Sequence, residues 1–482
     1  MIDLRPVGYV IGLMVAMLGV AMLPPMVMDI IDGQGHWPVF GESALFTVLV
    51  GGLVALACQS GNQQGLTLQQ TFMLTTGVWL ALPIFGALPF VLGATEARFV
   101  DAFFEAMSGL TTTGSTVLTG LETLPRGLLL WRGILQWLGG IGIIVVAMVF
   151  LPELRVGGMQ IFRSEGFDTM GKILPRATQI SAQISSIYIF LTVACIVVYL
   201  IFGMSFFDAL VHAFTTVSTG GFSNYDASFG TFSGPTEYAA VVFMFLAALP
   251  FVRYVQLVNG ASSPLFQDSQ VRAFLAIILV LVVLSTILLT TVFPKHPEES
   301  FREALFNITS IISGTGYASA NYMTWGSSLI AMFFFIGLIG GCAGSTACSI
   351  KIFRYQLLFS AIRVQIQKIH TPNGVFTPRY AGRAVSDDVL SSVMVFFVFF
   401  VVSLGLLSVF LAMTGLDFLT SVSGAAAAIA NIGPGLGDII GPSGNFSTLN
   451  DTAKWLLAIG MLVGRLELLA VFVIFTPQFW RA

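Results

Sequence analysis

Apolar runs about as long as a bilayer core is thick recur along almost the whole chain, separated by short polar breaks. A membrane-spanning helix needs about 20 mainly apolar residues. Ten stretches meet that measure: 7–28, 41–58, 72–93, 129–150, 185–203, 237–258, 272–293, 326–350, 391–413 and 452–475. The pattern predicts an all-α integral membrane protein with ten transmembrane helices. The first stretch, Val7 to Met28, has the length of a full span and no small-residue cleavage site, so it is predicted to be a retained helix. Within each of the last four pairs lies a moderately apolar segment too short to cross, followed by a glycine-rich strip.

These strips reveal an internal repeat. They read SGLTTTGST at 108–116, FTTVSTGGFS at 214–223, TSIISGTGYAS at 309–319 and AAIANIGPGLG at 427–437. Three are introduced by an aromatic residue, any residue, an acid and alanine: Phe99–Ala102, Phe206–Ala209 and Phe301–Ala304. From that Phe to the glycine taken as critical (Gly114, Gly220, Gly316) the distance is 15, 14 and 15 residues, and Asp417 opens a looser fourth copy toward Gly433. The predicted unit is helix, half-membrane helix, glycine strip, helix, repeated four times with the copies in the same direction after an extra helix pair. The expected divisions are 1–71 for the pair and 72–184, 185–271, 272–390 and 391–482 for the repeats.

Composition sharpens this reading. Of the 482 residues 56% are hydrophobic and 9% charged, far below the roughly one quarter charged residues of soluble proteins, and mean hydropathy is +0.89. A net charge of −3 says little about partners; no nucleic-acid partner is expected. Cys58, Cys195, Cys342 and Cys348 lack the spacing of a disulfide framework and read as packing thiols. His36, His212, His296 and His370 show no metal-ligand spacing. Placing the amino terminus, the loops after the fourth, sixth and eighth spans, and the carboxyl terminus on one side gathers 14 basic residues there. They include Arg155, Arg163, Lys172 and Arg176, whereas Arg98, Arg126, Arg132, Lys295, Arg302 and Lys454 fall toward the other side. Basic loops stay cytoplasmic, so both termini are expected inside and the strips enter from outside. The long basic loop 351–390 is the natural docking surface for a partner.

Non-helical backbone in a membrane is tolerated only where it is buried in protein or lines an aqueous cavity. Four strips therefore imply a shared axial cavity, where rings of backbone carbonyls replace the hydration shell of a monovalent cation and glycine permits the required turns. The candidate ligand residues are Thr112, Thr113 and Gly114; Ser218, Thr219 and Gly220; Gly314, Thr315 and Gly316; and Asn431, Ile432 and Gly433. The half-helices end just before the strips, so their partly negative carboxyl termini favour a cation. Asp101, Asp208, Glu303 and Asp417 start the half-helices, as helix-terminus stabilisers first and as attractors of cations second.

With these strips in order, the sequence resembles the Trk/Ktr/HKT superfamily of potassium transporters, and within it the TrkH-type bacterial subunit. The resemblance covers essentially the whole chain, including the closing NIGPGLG at 431–437. It implies one filter glycine per repeat, and potassium as the transported ligand, because a serine at the Gly114 position goes with sodium permeation in some plant members. It further implies a bacterial inner-membrane location, a homodimer of pore subunits and a cytosolic Trk-type nucleotide-binding regulatory subunit. No cofactor is expected in this chain.

Two features suggest a gate. The eighth stretch carries IGLIGGCAGSTAC, with Gly337, Gly340, Gly341 and Gly344 near its middle. Close helix packing explains such spacing. A break in the helix explains it as well, since each glycine costs roughly 1 kcal/mol in a helix interior, and Ser345 and Thr346 could satisfy freed backbone groups. The resemblance implies an intramembrane loop obstructing the pore. Arg465, placed mid-span at roughly 15 Å from the nearer interface, is too deep to reach headgroups, and a lipid-facing charge there costs at least about 2.5 kcal/mol. It is expected to face the cavity and repel cations, with a buried ion pair to an acid on another helix as the alternative; Glu467 is a poor partner. A cation-coupled secondary symporter of a small solute is the rival function, but such folds usually carry inverted repeats. No HExxH, GxSxG, P-loop or GxGxxG occurs, so no enzyme activity is expected.

Overall fold

The computed structural model of the chain describes residues 3–33, 35–59, 66–146, 158–159, 177–292 and 296–481. Residues 147–150 of the fourth predicted span, together with Arg155, Arg163, Lys172, Arg176 and Lys295, lie outside the described residues. Helices dominate, and among the described residues one hairpin pairs Arg379–Tyr380 antiparallel with Arg383–Ala384.

Helices α1 (Arg5–Val20) and α2 (Leu23–Asp32) together make the first span and α3 (Trp37–Cys58) the second. Their close approach depends on small residues: a Cβ on Gly12 would lie 2.6 Å from the Ala55 nitrogen, and one on Gly51 would lie 2.6 Å from the Gly12 oxygen. Repeat 1 comprises α4 (Leu68–Gly86), α5 (Leu88–Leu92), the half-helix α6 (Phe99–Leu110) and α7 (Arg126–Val145). Repeat 2 has α8 (Ala177–Ile201), the half-helix α9 (Phe206–Val217), α10 (Pro235–Ala247), α11 (Phe251–Val258) and α12 (Ser263–Gln267). Repeat 3 has α13 (Ser269–Val292), the half-helix α14 (Pro297–Ser313), α15 (Ser327–Ile339) and α16 (Ile352–His370). Repeat 4 has α17 (Asp387–Met413), the half-helix α18 (Phe418–Ala430), α19 (Asp451–Arg465), α20 (Leu469–Phe472) and α21 (Pro477–Arg481).

The layers follow from composition. Long helices such as α17 expose Phe399, Val401 and Leu406 as lipid-facing surface, whereas the half-helices are buried along nearly their whole lengths. The half-helices start on side-chain caps where one is available: Ser205 Oγ accepts from the Asp208 nitrogen at 3.1 Å and the Asp417 carboxylate accepts from Thr420 at 3.1 Å. In register terms Asp417 precedes Phe418, whereas Asp101, Asp208 and Glu303 each follow their Phe by two positions; the fourth acid is therefore a cap and not the counterpart of the other three.

Three of the ten expected spans are sharply broken, beyond the mild interruptions between α1 and α2 and between α4 and α5. Seven helices among the described residues are long and apolar enough to cross alone, and two further spans are bent pairs, α10/α11 turning by 90° and α19 with 469–475 by 103°. The eighth stretch is helical for only 13 residues. Each break has a local cause. Pro250 lacks the N–H that would continue α10. Gly340, at φ 77°, ends α15, and Glu467 and Leu468 take positive φ (61° and 43°) just after Arg465.

Candidate functional site

Each half-helix ends in a left-handed residue: Thr112 (φ 50°), Thr219 (φ 51°), Gly314 (φ 82°) and Asn431 (φ 52°). Every one of these lies 13 positions after its leading phenylalanine, Phe99, Phe206, Phe301 or Phe418. Two residues later come Gly114 (φ 86°), Gly221 (φ 80°), Gly316 (φ 81°) and Gly433. The glycine register of the second strip is thus corrected by one: Gly221, not Gly220, is the counterpart of Gly114 and Gly316, and the spacing is 15 in all four copies. Hydrogen bonding agrees, because the Thr113, Gly220 and Ile432 nitrogens donate to the equivalent half-helix carbonyls of Ser108, Thr215 and Ala427 at 2.9, 2.8 and 2.9 Å.

The four strips meet. A Cβ on Gly114 would overlap the Gly220 carbonyl oxygen, and one on Gly221 would overlap that of Thr315. One on Gly316 would lie 2.7 Å from the Gly433 nitrogen, and one on Gly433 3.0 Å from the Gly114 oxygen. These contacts close a ring in the order 1, 2, 3, 4. Side chains sew its 4–1 seam: Asn431 Nδ2 donates to Thr113 Oγ1 at 3.0 Å, and Ser115 Oγ to the Gly433 carbonyl at 2.8 Å. Above the ring a cavity of about 250 Å³ is lined by residues of all four strips, including Gly114, Gly221, Gly316 and Gly433.

Beneath the ring lies the broken eighth span. The bend of α10/α11 frees the carbonyls of Ala247 and Ala248, and the 340–351 loop supplies their donors: Thr346 Oγ1 to Ala247 at 2.9 Å, and the Cys342 nitrogen to Ala248 at 3.1 Å. In return the Phe251 nitrogen, at the start of α11, donates to Gly344 at 2.9 Å. Ser345 Oγ holds the Cys342 carbonyl at 2.7 Å. Buried backbone polar groups must be paired, and here two broken helices pair each other. Cys348, near the end of the loop, reaches upward, its sulfur 4.0 Å from Thr112 Oγ1. It also accepts a hydrogen bond from Arg465 Nη1.

Arg465 is buried at 3% exposure. Its other partners are the Gly139 carbonyl at 3.1 Å and the Trp79 ring, whose centroid is 5.6 Å from the guanidinium carbon. Among the described residues no carboxylate pairs with it. Glu467 binds Arg354 and lies 3.5 Å from Lys351 Nζ. Arg465 also differs from its expected setting: it terminates α19 at the bend instead of sitting mid-helix.

Residues 36–481 match the TrkH family, described as a cation transport protein. The chain is 41% identical to the Trk system potassium uptake protein TrkI of Halomonas elongata, over 99% of this chain and 97% of that protein. It is 34% identical to the Trk system potassium uptake protein TrkH of Escherichia coli K12, over 99% of both. The chain belongs to the TrkH family. Its structure also matches the crystal structure of the potassium transporter TrkH from Vibrio parahaemolyticus with a TM-score of 0.91 at 32% identity, covering 100% of both chains. The TrkH-family chain is accordingly a transport protein and not an enzyme.

Position six of the half-helices carries a second layer of this TrkH-family site that the sequence reading passed over. Glu105 Oε2 accepts from the Val117 nitrogen at 2.9 Å, His212 Nε2 pairs with Ser223 Oγ at 3.0 Å, and Asn307 Oδ1 accepts from Ser319 at 3.1 Å. Each ties the ascending limb of its strip back to its own half-helix. In repeat 4 that position is Gly424, and the neighbouring Ser423 Oγ accepts from Leu436 at 2.9 Å. Arg132 joins the first two limbs, binding Glu105 at 2.8 Å and the Ser223 carbonyl at 2.6 Å. A polar residue recurring six places after the leading Phe of the first three repeats was the available signal.

Proposed function

We propose that this chain carries potassium ions into the bacterial cell, selecting them at the ring formed by Thr112–Gly114, Thr219–Gly221, Gly314–Gly316 and Asn431–Gly433. The observation that carries the reading is the convergence of four like strips under one outward cavity, an arrangement that offers oxygen atoms from every side to a dehydrated alkali ion. The relatives' description as potassium uptake proteins supplies the ion. The inner barrier is the 340–351 loop, with Gly340, Gly341, Gly344 and Ser345, together with Arg465. A buried guanidinium with no carboxylate partner among the described residues, beneath the ring, repels a cation leaving it.

The chain resides in the inner membrane with both termini in the cytoplasm, a reading supported by the distribution of Lys and Arg among its loops. It works as a homodimer with a cytosolic nucleotide-binding regulatory subunit of Trk type. Support for such a partner comes from α16, which leaves Phe359, Ile366 and Ile369 exposed beside Arg363 and Lys368.

Purified protein in liposomes is expected to give potassium flux that sodium competes with poorly, and Gly114→Ser is expected to raise sodium permeability. Absence of potassium flux, or currents that depend on an organic solute, would overturn the reading in favour of a symporter.

A further inference from the structure

The second strip differs from the others at the position just before its glycine. Thr113 and Thr315 place hydroxyls there, bonded to Thr111 Oγ1 and Ser313 Oγ at 2.8 Å each, and Ile432 packs its Cδ1 toward Gly337. The second strip has Gly220, whose φ is not in the left-handed region, so its backbone alone does not demand glycine. What demands it is Gln136. A Cβ on Gly220 would overlap the carboxamide carbon and oxygen of that side chain and lie 2.8 Å from its nitrogen.

Gln136 is fully buried and comes from α7, the second long helix of repeat 1. Its Nε2 donates to the Gly220 carbonyl at 2.7 Å, and its Oε1 accepts from the Phe222 nitrogen at 3.0 Å. One planar group therefore fixes the peptides on both sides of Gly221. The Thr215 carbonyl takes the Gly220 and Gly221 nitrogens, at 2.8 and 3.3 Å. The Gly220 carbonyl it grips is the atom nearest to a Cβ built on Gly114, so the clamp acts at the seam between the first two strips.

We infer that Gln136 is a positioning residue for ion discrimination, and that Gly220 is glycine to admit it. The inference rests on the ring being the selecting element. Gln136 touches no ion; it sets the direction of a carbonyl at the 1–2 seam, and loss of one buried hydrogen bond of this kind is felt as roughly a tenfold change. Gln136→Leu removes both hydrogen bonds at similar volume. Gln136→Glu keeps the acceptor for Phe222 and loses the donor to Gly220. Gly220→Ala drives a methyl group into the carboxamide.

The test is potassium and sodium flux in liposomes for each variant, scored as a ratio and set beside the amount of folded protein. The potassium-over-sodium ratio is expected to fall roughly tenfold in Gln136→Glu and Gly220→Ala, and at least as far in Gln136→Leu. Adding Gln136→Ala to Gly220→Ala relieves the overlap, so total flux is expected to rise above that of Gly220→Ala alone. If Gln136→Leu fails to fold, the other variants carry the test. Ratios equal to wild type overturn the inference, even where flux is reduced. Wild-type protein without potassium flux would instead defeat the proposed function.

Discussion

Above Thr112, Thr219, Gly314 and Asn431 the four repeats keep one register, with the same left-handed turn and a glycine at the same distance from the same aromatic residue. Below them the second long helices go four different ways. Helix α7 runs unbroken to Val145, α10 turns by 90°, α15 gives way to the 340–351 loop, and α19 ends at a bend of 103°. On the proposed function, the contrast follows from what each half must do. Surrounding a dehydrated ion takes oxygen atoms from every quadrant at matched height. Obstructing a passage takes only an intrusion from one side, so the inner halves of the repeats are free to diverge. Changes in the inner half should then alter stability or throughput, and changes in the outer half should alter which ion passes.

The largest effect is expected from Glu467→Gln, which takes a carboxylate away from buried Lys351 and Arg354. Breaking a buried pair in this way costs about 3–5 kcal/mol, so the thermal unfolding midpoint in detergent should drop clearly; an unchanged midpoint would show that the cluster is not what holds the last bend. Next comes Gly221→Ala. A left-handed conformation costs a non-glycine residue roughly 1–2 kcal/mol, and the added methyl group overlaps the Thr315 carbonyl. Ion discrimination should be lost, and Gln136→Ala should give no rescue; rescue would return the second strip to the register centred on Gly220.

Arg465→Ala should raise flux by roughly tenfold, the equivalent of about 1.4 kcal/mol of barrier, with the ion ratio unchanged. A changed ratio in that variant would erase the division between the two halves. The smallest effect is expected at Asp417, where loss of the cap in Asp417→Ala costs about 1 kcal/mol of stability. Hydrogen bonds from the Thr420 side chain, then its backbone, hold the Asp417 carboxyl below its ordinary range. This contribution is present above the usual aspartate pKa and lost as pH falls through the lowered value. A stability difference between wild type and Asp417→Ala that stays constant on acidification would contradict that account.

The sequence made the repeats readable because the leading aromatic, the acid and the strip recur at fixed spacing, and backbone periodicity is recorded in residue type wherever a left-handed turn needs glycine. It misplaced the second strip by one for the same reason. Gly220 and Gly221 are adjacent, and only one of them is glycine on account of its dihedral angles; the other makes room for Gln136. Hydropathy found the spans of α10 and α19 but is blind to bends, which fall at Pro250 and at Glu467 and Leu468, the former held by Lys351 and Arg354. Cys348 looked like any packing thiol, since nothing in its neighbours along the chain announces the guanidinium brought to it from 117 residues away.

A pore assembled from four identical polypeptides changes at four places with every codon. Here the quadrants are written separately in one gene, and a substitution alters one seam of the ring: Gln136 that between the first and second strips, Thr113 or Asn431 that between the fourth and first. Permeation properties can therefore drift in small increments, with the rest of the ring preserving function while one seam is tried out.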